Sequence, residues 1–297
     1  MQNKKRLILG FIFSLLVSSS AGAQSRQVSL RPVLKPGQEN RYVVNISIET
    51  RVTASGDDGL ASVLTRESSA TVLLRGVAGE KGNVSTEAII EALTTRATLD
   101  GVETPTAEPS EPSPVGQKIA YDLDSQGRAI RSSFPLPAGR AGLAELLFSL
   151  ARWVPSNDVS VGQSWGQAIA IDSLSGDYGY VAAPGIAEIP KRASVSYKLS
   201  SLEGDKAVID GAIALNQSGS CLLTTKQSRL NVTATGNGKG STRVEYDLSA
   251  SRVNSATTET SFEGRLAHIA PTREGEKPQP REGSIVETAK FSIKLVQ

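Results

Sequence analysis

The sequence predicts a mainly β protein: an antiparallel curved sheet or open barrel built from two related halves, with one amphipathic helix packed against it. Three observations carry that expectation. Apolar and polar side chains alternate along several runs, Gly- and Asp-containing turns separate the runs, and a single stretch shows helical periodicity.

The N-terminus changes the composition of everything after it. Lys4, Lys5 and Arg6 precede the apolar run Leu7 to Val17, which Ser18-Ser19-Ser20 and Ala21-Gly22-Ala23 follow. That order is a cleavable secretory signal with an A-x-A site, placing the mature start at Gln24. The eleven-residue run is too short to span a bilayer, which takes about 20 residues, and no later segment is apolar enough. Position 24 is Gln rather than the Cys of a lipid-anchored form, so no membrane anchor is expected after cleavage. Removing the three basic signal residues leaves 29 of 32 Lys and Arg against 30 Asp and Glu, turning a net charge of +2 into −1. No basic patch of the kind that binds nucleic acid appears.

The strands follow. Val44, Ile46, Ile48, Thr50 and Val52 alternate with Asn45, Ser47, Glu49 and Arg51, and Val244, Tyr246, Leu248 and Ala250 alternate with Arg243, Glu245, Asp247 and Ser249. Val195, Tyr197 and Leu199 form a shorter set, as do Phe291, Ile293 and Leu295. One dry face and one wet face is the signature of antiparallel sheet. Turns are expected at 56–59, 79–82, Asp100-Gly101, 125–127, Gly204-Asp205-Lys206 and Gly236-Asn237-Gly238-Lys239-Gly240. Open loops are expected at Glu103 to Gly116, with its four prolines, and at Ala270 to Ser284.

Between the halves, Leu143, Leu146, Leu147, Leu150, Trp153 and Val154 recur at helical spacing, which predicts a helix over 140–154 that Pro155 stops. The expected organisation is a signal over 1–23, a β half over 24–137, a connecting helix over 138–155 and a second β half over 156–297. Relatedness of the halves rests on two matches at one offset. Gly79-Glu80-Lys81 and Gly204-Asp205-Lys206 lie 125 positions apart, as do Tyr121-Asp122-Leu123 and Tyr246-Asp247-Leu248.

Catalytic and metal chemistry is poorly represented. His268 is the one histidine, in an apparent strand, and G-x-S-x-G is absent. Cys221 is the one cysteine, beside Leu222 and Leu223, and reads as a small buried hydrophobe that excludes an intramolecular disulfide. Asp122 to Gly127 starts like a calcium loop but lacks its later ligands, with Gln126 and Ser133 at the positions where a ligand is needed. Gly236 to Thr242 imitates a phosphate loop, yet Gly240 separates the lysine from Ser241. No cofactor is implied and no enzymatic activity is expected. The helix face and the tryptophans remain as candidate ligand-binding residues: Leu143, Leu146, Leu147, Leu150, Trp153 and Trp165 would either plug the curved sheet as core or line an apolar pocket with it.

Two motifs resemble a known family. One is Leu34-Lys35-Pro36-Gly37-Gln38 followed by Tyr42; the other is Pro155 and then Val159-Ser160-Val161-Gly162-Gln163-Ser164-Trp165, reached after Phe134-Pro135-Leu136-Pro137 and the helix. Together they resemble exported bacterial β-rich proteins grouped as a domain of unknown function. That resemblance covers most of the mature chain, implies a bacterial envelope location, and supplies no catalytic residues. The plan is also similar in architecture to the periplasmic lipoprotein-carrier fold, an unclosed barrel with a helical lid. The expected function is that of a periplasmic or secreted non-catalytic protein binding an apolar small molecule or an envelope component. The alternatives are an assembly module that docks a protein partner and an unrecognised hydrolase.

Overall fold

The computed structural model describes residues 26–54, 61–78, 84–103, 115–116, 118–123, 129–132, 153–170, 191–224, 229–269 and 280–296. Within these residues the chain forms β1 (Glu39–Ala54), β2 (Ala61–Ala78), β3 (Val84–Leu99), β4 (Val102–Glu103), β5 (Lys118–Leu123) and β6 (Ala129–Ser132). It continues with β7 (Ser164–Ala170), β8 (Lys191–Glu203), β9 (Lys206–Thr224), β10 (Arg229–Asp247), β11 (Arg252–Ile269) and β12 (Pro280–Leu295). All belong to one sheet in the order β6-β5-β3-β2-β1-β12-β11-β10-β9-β8-β7, with β4 beside β3. Neighbours pair antiparallel throughout, and β6 and β7 end the sheet without meeting, so it is curved and unclosed. In effect two meanders lie side by side, and the last strand, β12, joins them by pairing with β1.

Alternation builds the core as expected. In β1, Tyr42, Val44, Ile46, Ile48 and Thr50 are buried while every intervening residue is half-buried or exposed. Register carries that parity sideways. Val44 lies level with Ala70 on β2 and Ile293 on β12, and the row continues through Ala256, Val244, Ile209 and Leu199. Fully burying such side chains contributes about 1.5–3 kcal/mol each, which is what a sheet without disulfides has to rely on.

The expected turn at Gly236–Gly240 is corrected: these residues lie in the middle of β10. Gly236, Gly238 and Gly240 occupy every second position on the buried face, where β11 bends over them. A Cβ on Gly236 would come within 2.6 Å of the Glu263 carbonyl oxygen, and one on Gly238 within 2.9 Å of the Phe262 Cα. Glycine is there because a neighbouring backbone approaches closely, and the crease it permits makes the apolar face concave. Two further expectations change. Residues 280–284, read as part of an open loop, begin β12. The expected helix lies outside the described residues except for Trp153 and Val154, which are not helical. The Asp100-Gly101 turn is as expected, with φ of 51° and 80°, the mirror-image geometry that matches strand twist.

Candidate functional site

The concave face is closed at one end by two short segments that precede the first strand of each meander. Residues 26–38 lead into β1 and residues 153–163 lead into β7. They pair with each other through a single bridge, in which the Val28 amide donates to the Val159 carbonyl (2.9 Å) and the Val159 amide to the Val28 carbonyl (3.0 Å). Val28, Leu30, Leu34, Trp153, Val154 and Val159 all become buried in the same cluster as Val44, Leu199 and Ile209. Salt bridges at the rim, Arg26 to Asp205 (3.6 Å) and Arg31 to Asp158 (3.8 Å), are solvent-exposed and add little.

The two segments carry matching turns. Gly37 and Gly162 lie 125 positions apart and have φ of 82° and 89°. Beside each, a glutamine side chain caps the turn: the Gln38 Oε1 accepts from the Lys35 amide (3.1 Å) and the Gln163 Oε1 from the Ser160 amide (3.2 Å). The left-handed φ is the reason for glycine at both positions.

Aromatic residues tie these segments to the sheet. Trp153 meets Tyr246 edge-on at 5.4 Å, and the Tyr246 hydroxyl donates to the Arg31 carbonyl (2.7 Å). Trp165, half-buried at the start of β7, stacks on Tyr197 at 5.9 Å and donates from its indole nitrogen to the Trp153 carbonyl (2.7 Å). The Tyr42 hydroxyl donates to the Val253 carbonyl (3.0 Å). Burial pushes the Tyr42 and Tyr246 phenols well above their ordinary range, so both stay neutral donors.

Of the ligand-binding residues expected from sequence, the structure brings together Trp153 and Trp165, one buried at 2% exposure and one half-buried. Leu143, Leu146, Leu147 and Leu150 lie outside the described residues. Sequence reading did not single out Tyr42, Tyr246, Val28 or Leu30 as parts of this end, although Tyr42 and Tyr246 belong to motifs that it noted. The Tyr42 and Tyr246 hydrogen bonds span chain separations of more than 200 residues, which local pattern does not encode.

Toward the other end, a second buried cluster consists of Ala193, Leu215, Ala234, Phe262, Leu266 and Ile285, and its described members are all strand residues. Thr50, level with Phe262 across Glu287, and Gln217, level with Gly236, are buried in the same rows, and Arg66 is buried level with Ile48 of the first cluster. Val52 and Leu99, on the same face by parity, are 37% and 44% exposed. The outer face is the opposite in character, with Arg41 paired to Glu91 (2.7 Å), Arg75 to Glu39 (2.6 Å) and Arg243 to Asp210 (3.2 Å). Among the described residues, no three His, Cys, Asp or Glu side chains group as metal ligands, and no helix is long and apolar enough to cross a membrane.

No protein-family model and no curated protein sequence matches the chain. Among solved structures, one of lipid–protein interactions in lipovitellin is similar over 89% of this chain at 10% identity and a TM-score of 0.42. This chain spans 25% of that one. Pseudomonas aeruginosa OccK7 (OpdD) is similar over 88% of the chain at 6% identity and a TM-score of 0.19. Vibrio cholerae OmpT, an outer membrane protein, covers 86% at 9% identity and a TM-score of 0.16. At such scores these likenesses say nothing about ligand or location.

Proposed function

We propose that this protein is exported and holds an apolar ligand, or the apolar part of an envelope component, against the concave face of its sheet, without catalysing a reaction. The observation that supports it is the two-faced character of an unclosed sheet: apolar and concave inside, ionic and hydroxyl-bearing outside. A lipid-spanning barrel would reverse those faces, presenting an apolar band outward. Apolar binding sites are concave surfaces lined mainly by apolar side chains with a small number of placed polar groups. The end bearing Val52 and Leu99 offers exposed apolar side chains beside the buried Thr50 and Gln217. The secretory pattern of residues 4–23 supports a periplasmic or secreted location. The shared 125-residue offset of the Gly37 and Gly162 turns supports descent of the two meanders from one duplicated unit.

Native mass spectrometry and solvent extraction of the protein purified from its own envelope test this reading. The expected result is a co-purifying apolar molecule that is reduced in Val52→Arg and Leu99→Arg variants of unchanged β content. A ligand-free protein that also takes up no apolar probe overturns it. A second reading, docking of a protein partner by strand addition, is favoured by the two open ends of the sheet at β6 and β7. A partner captured from envelope extract, and lost when β7 is blocked by proline, would support that reading instead.

A further inference from the structure

The outer face carries a feature that the apolar reading does not use. Register places Thr94, Ser69, Asn45, Ser292 and Thr257 in one row across β3, β2, β1, β12 and β11. The next row on the same face reads Arg96, Glu67, Ser47, Lys290 and Glu259. Both rows alternate with buried residues such as Val44, Ile46 and Ile48, so they face away from the core. Between them runs a groove of about 600 Å³ that spans all five strands.

We propose that this groove binds a neutral, polyhydroxylated chain, an oligosaccharide in chemical class. The first row is made only of hydroxyl and amide side chains, and each can both donate and accept. Strand spacing repeats such a group about every 4.8 Å, so five strands offer an extended ligand a ladder about 19 Å long. Part of that ladder is already oriented. The Ser69 hydroxyl donates to the Asn45 Oδ1 (2.8 Å), and the Asn45 amide reaches the Ser292 hydroxyl (3.5 Å).

Charge selects among polar ligands. The second row holds two cations and two anions, and Lys290 and Glu259 neutralise each other at 3.3 Å. A polyanion would face Glu67 and Glu259 and a polycation would face Arg96 and Lys290, so no charged polymer is favoured along the whole length. An apolar ligand would strip water from hydroxyl groups and return no hydrogen bonds to them. A neutral polyol escapes both penalties. The groove lies on the opposite face from the proposed apolar site, so each can fail without the other.

Isothermal titration of the full secreted chain with neutral hexasaccharides, maltohexaose and the β-linked N-acetylglucosamine hexamer, tests the assignment. A uronic acid hexamer serves as the charged control. Saturable binding of at least one neutral chain is expected, with weaker binding of the uronate. Asn45→Val with Ser69→Val should weaken it about tenfold, the loss of one or two hydrogen bonds. Thr257→Val, nearly isosteric and exposed, should weaken it severalfold while leaving the thermal midpoint in place; it serves if the double variant misfolds. Val52→Arg, on the other face, should leave it unchanged. No saturable binding at millimolar concentration, binding indifferent to these substitutions, or tighter binding of the uronate or of a polar peptide overturns the proposal.

Discussion

Two glycine-bearing regions of this molecule use the same residue for different reasons. At Gly37 and Gly162 a Cβ would meet nothing within 4 Å, and the requirement lies in φ of 82° and 89°. At Gly236, Gly238 and Gly240 φ is not left-handed, and the requirement lies in space: the backbone of β11 occupies the volume a side chain would need. The first kind of glycine turns the chain into a strand. The second lets a long strand curl, and so gives the sheet the concavity on which the proposed apolar site depends.

That contrast can be broken in graded ways. The largest effect is expected at a residue that is not glycine, in the capped end. Trp153→Ala should cost about 3–5 kcal/mol in chemical unfolding, because it empties a buried site and removes the edge contact with Tyr246. A cost near zero would mean that residues 153–163 do not close the core. Next, Gly238→Ala should cost about 1–3 kcal/mol by overpacking against Phe262 and Leu215, and Gly238→Asn should be worse than alanine.

The turn glycines should behave the other way. Gly37→Ala and Gly162→Ala should each cost about 1–2 kcal/mol through backbone strain, and asparagine should recover part of it because asparagine tolerates the left-handed region. Similar values at the two positions would sharpen the case for a duplicated unit, whereas a large inequality would count against it. The smallest effect concerns Asp247, whose carboxylate accepts from the Ser249 hydroxyl (2.7 Å) and the Ala250 amide (3.0 Å). The Ser249 hydroxyl foremost, then the Ala250 amide, holds its pKa below the usual aspartate range. A depressed carboxylate contributes stability above its unfolded value, near 3.9, and loses that contribution as pH falls through its folded value. Acid titration of Asp247→Asn should therefore show a slightly flatter stability loss below about pH 4 than the parent chain.

Much of the fold was legible in the alternation of β1, β8, β10 and β12, because period-two burial is a local property of a half-buried strand. The site was less legible. Trp153 and Trp165 were marked by being large and apolar, but their partners Tyr246 and Tyr197 belong to distant strands. The GNGKG stretch misled because composition cannot separate a glycine needed for φ from one needed for clearance. The row of Thr94, Ser69, Asn45, Ser292 and Thr257 was invisible for a related reason: its members are scattered over five strands and align only once the register is set.

By itself the sequence determined which residues of the alternating runs in β1, β8, β10 and β12 face water and which face the core, since parity in a regular half-buried strand follows from its own side chains. It also determined the positions of the Asp100-Gly101 and Gly204-Asp205 turns. Tertiary structure decided the order of the strands, the pairing of β1 with β12 that merges two meanders into one sheet, and the crease along β10. Those features depend on contacts between residues far apart in the chain, whose free energy appears only when both partners are already in place.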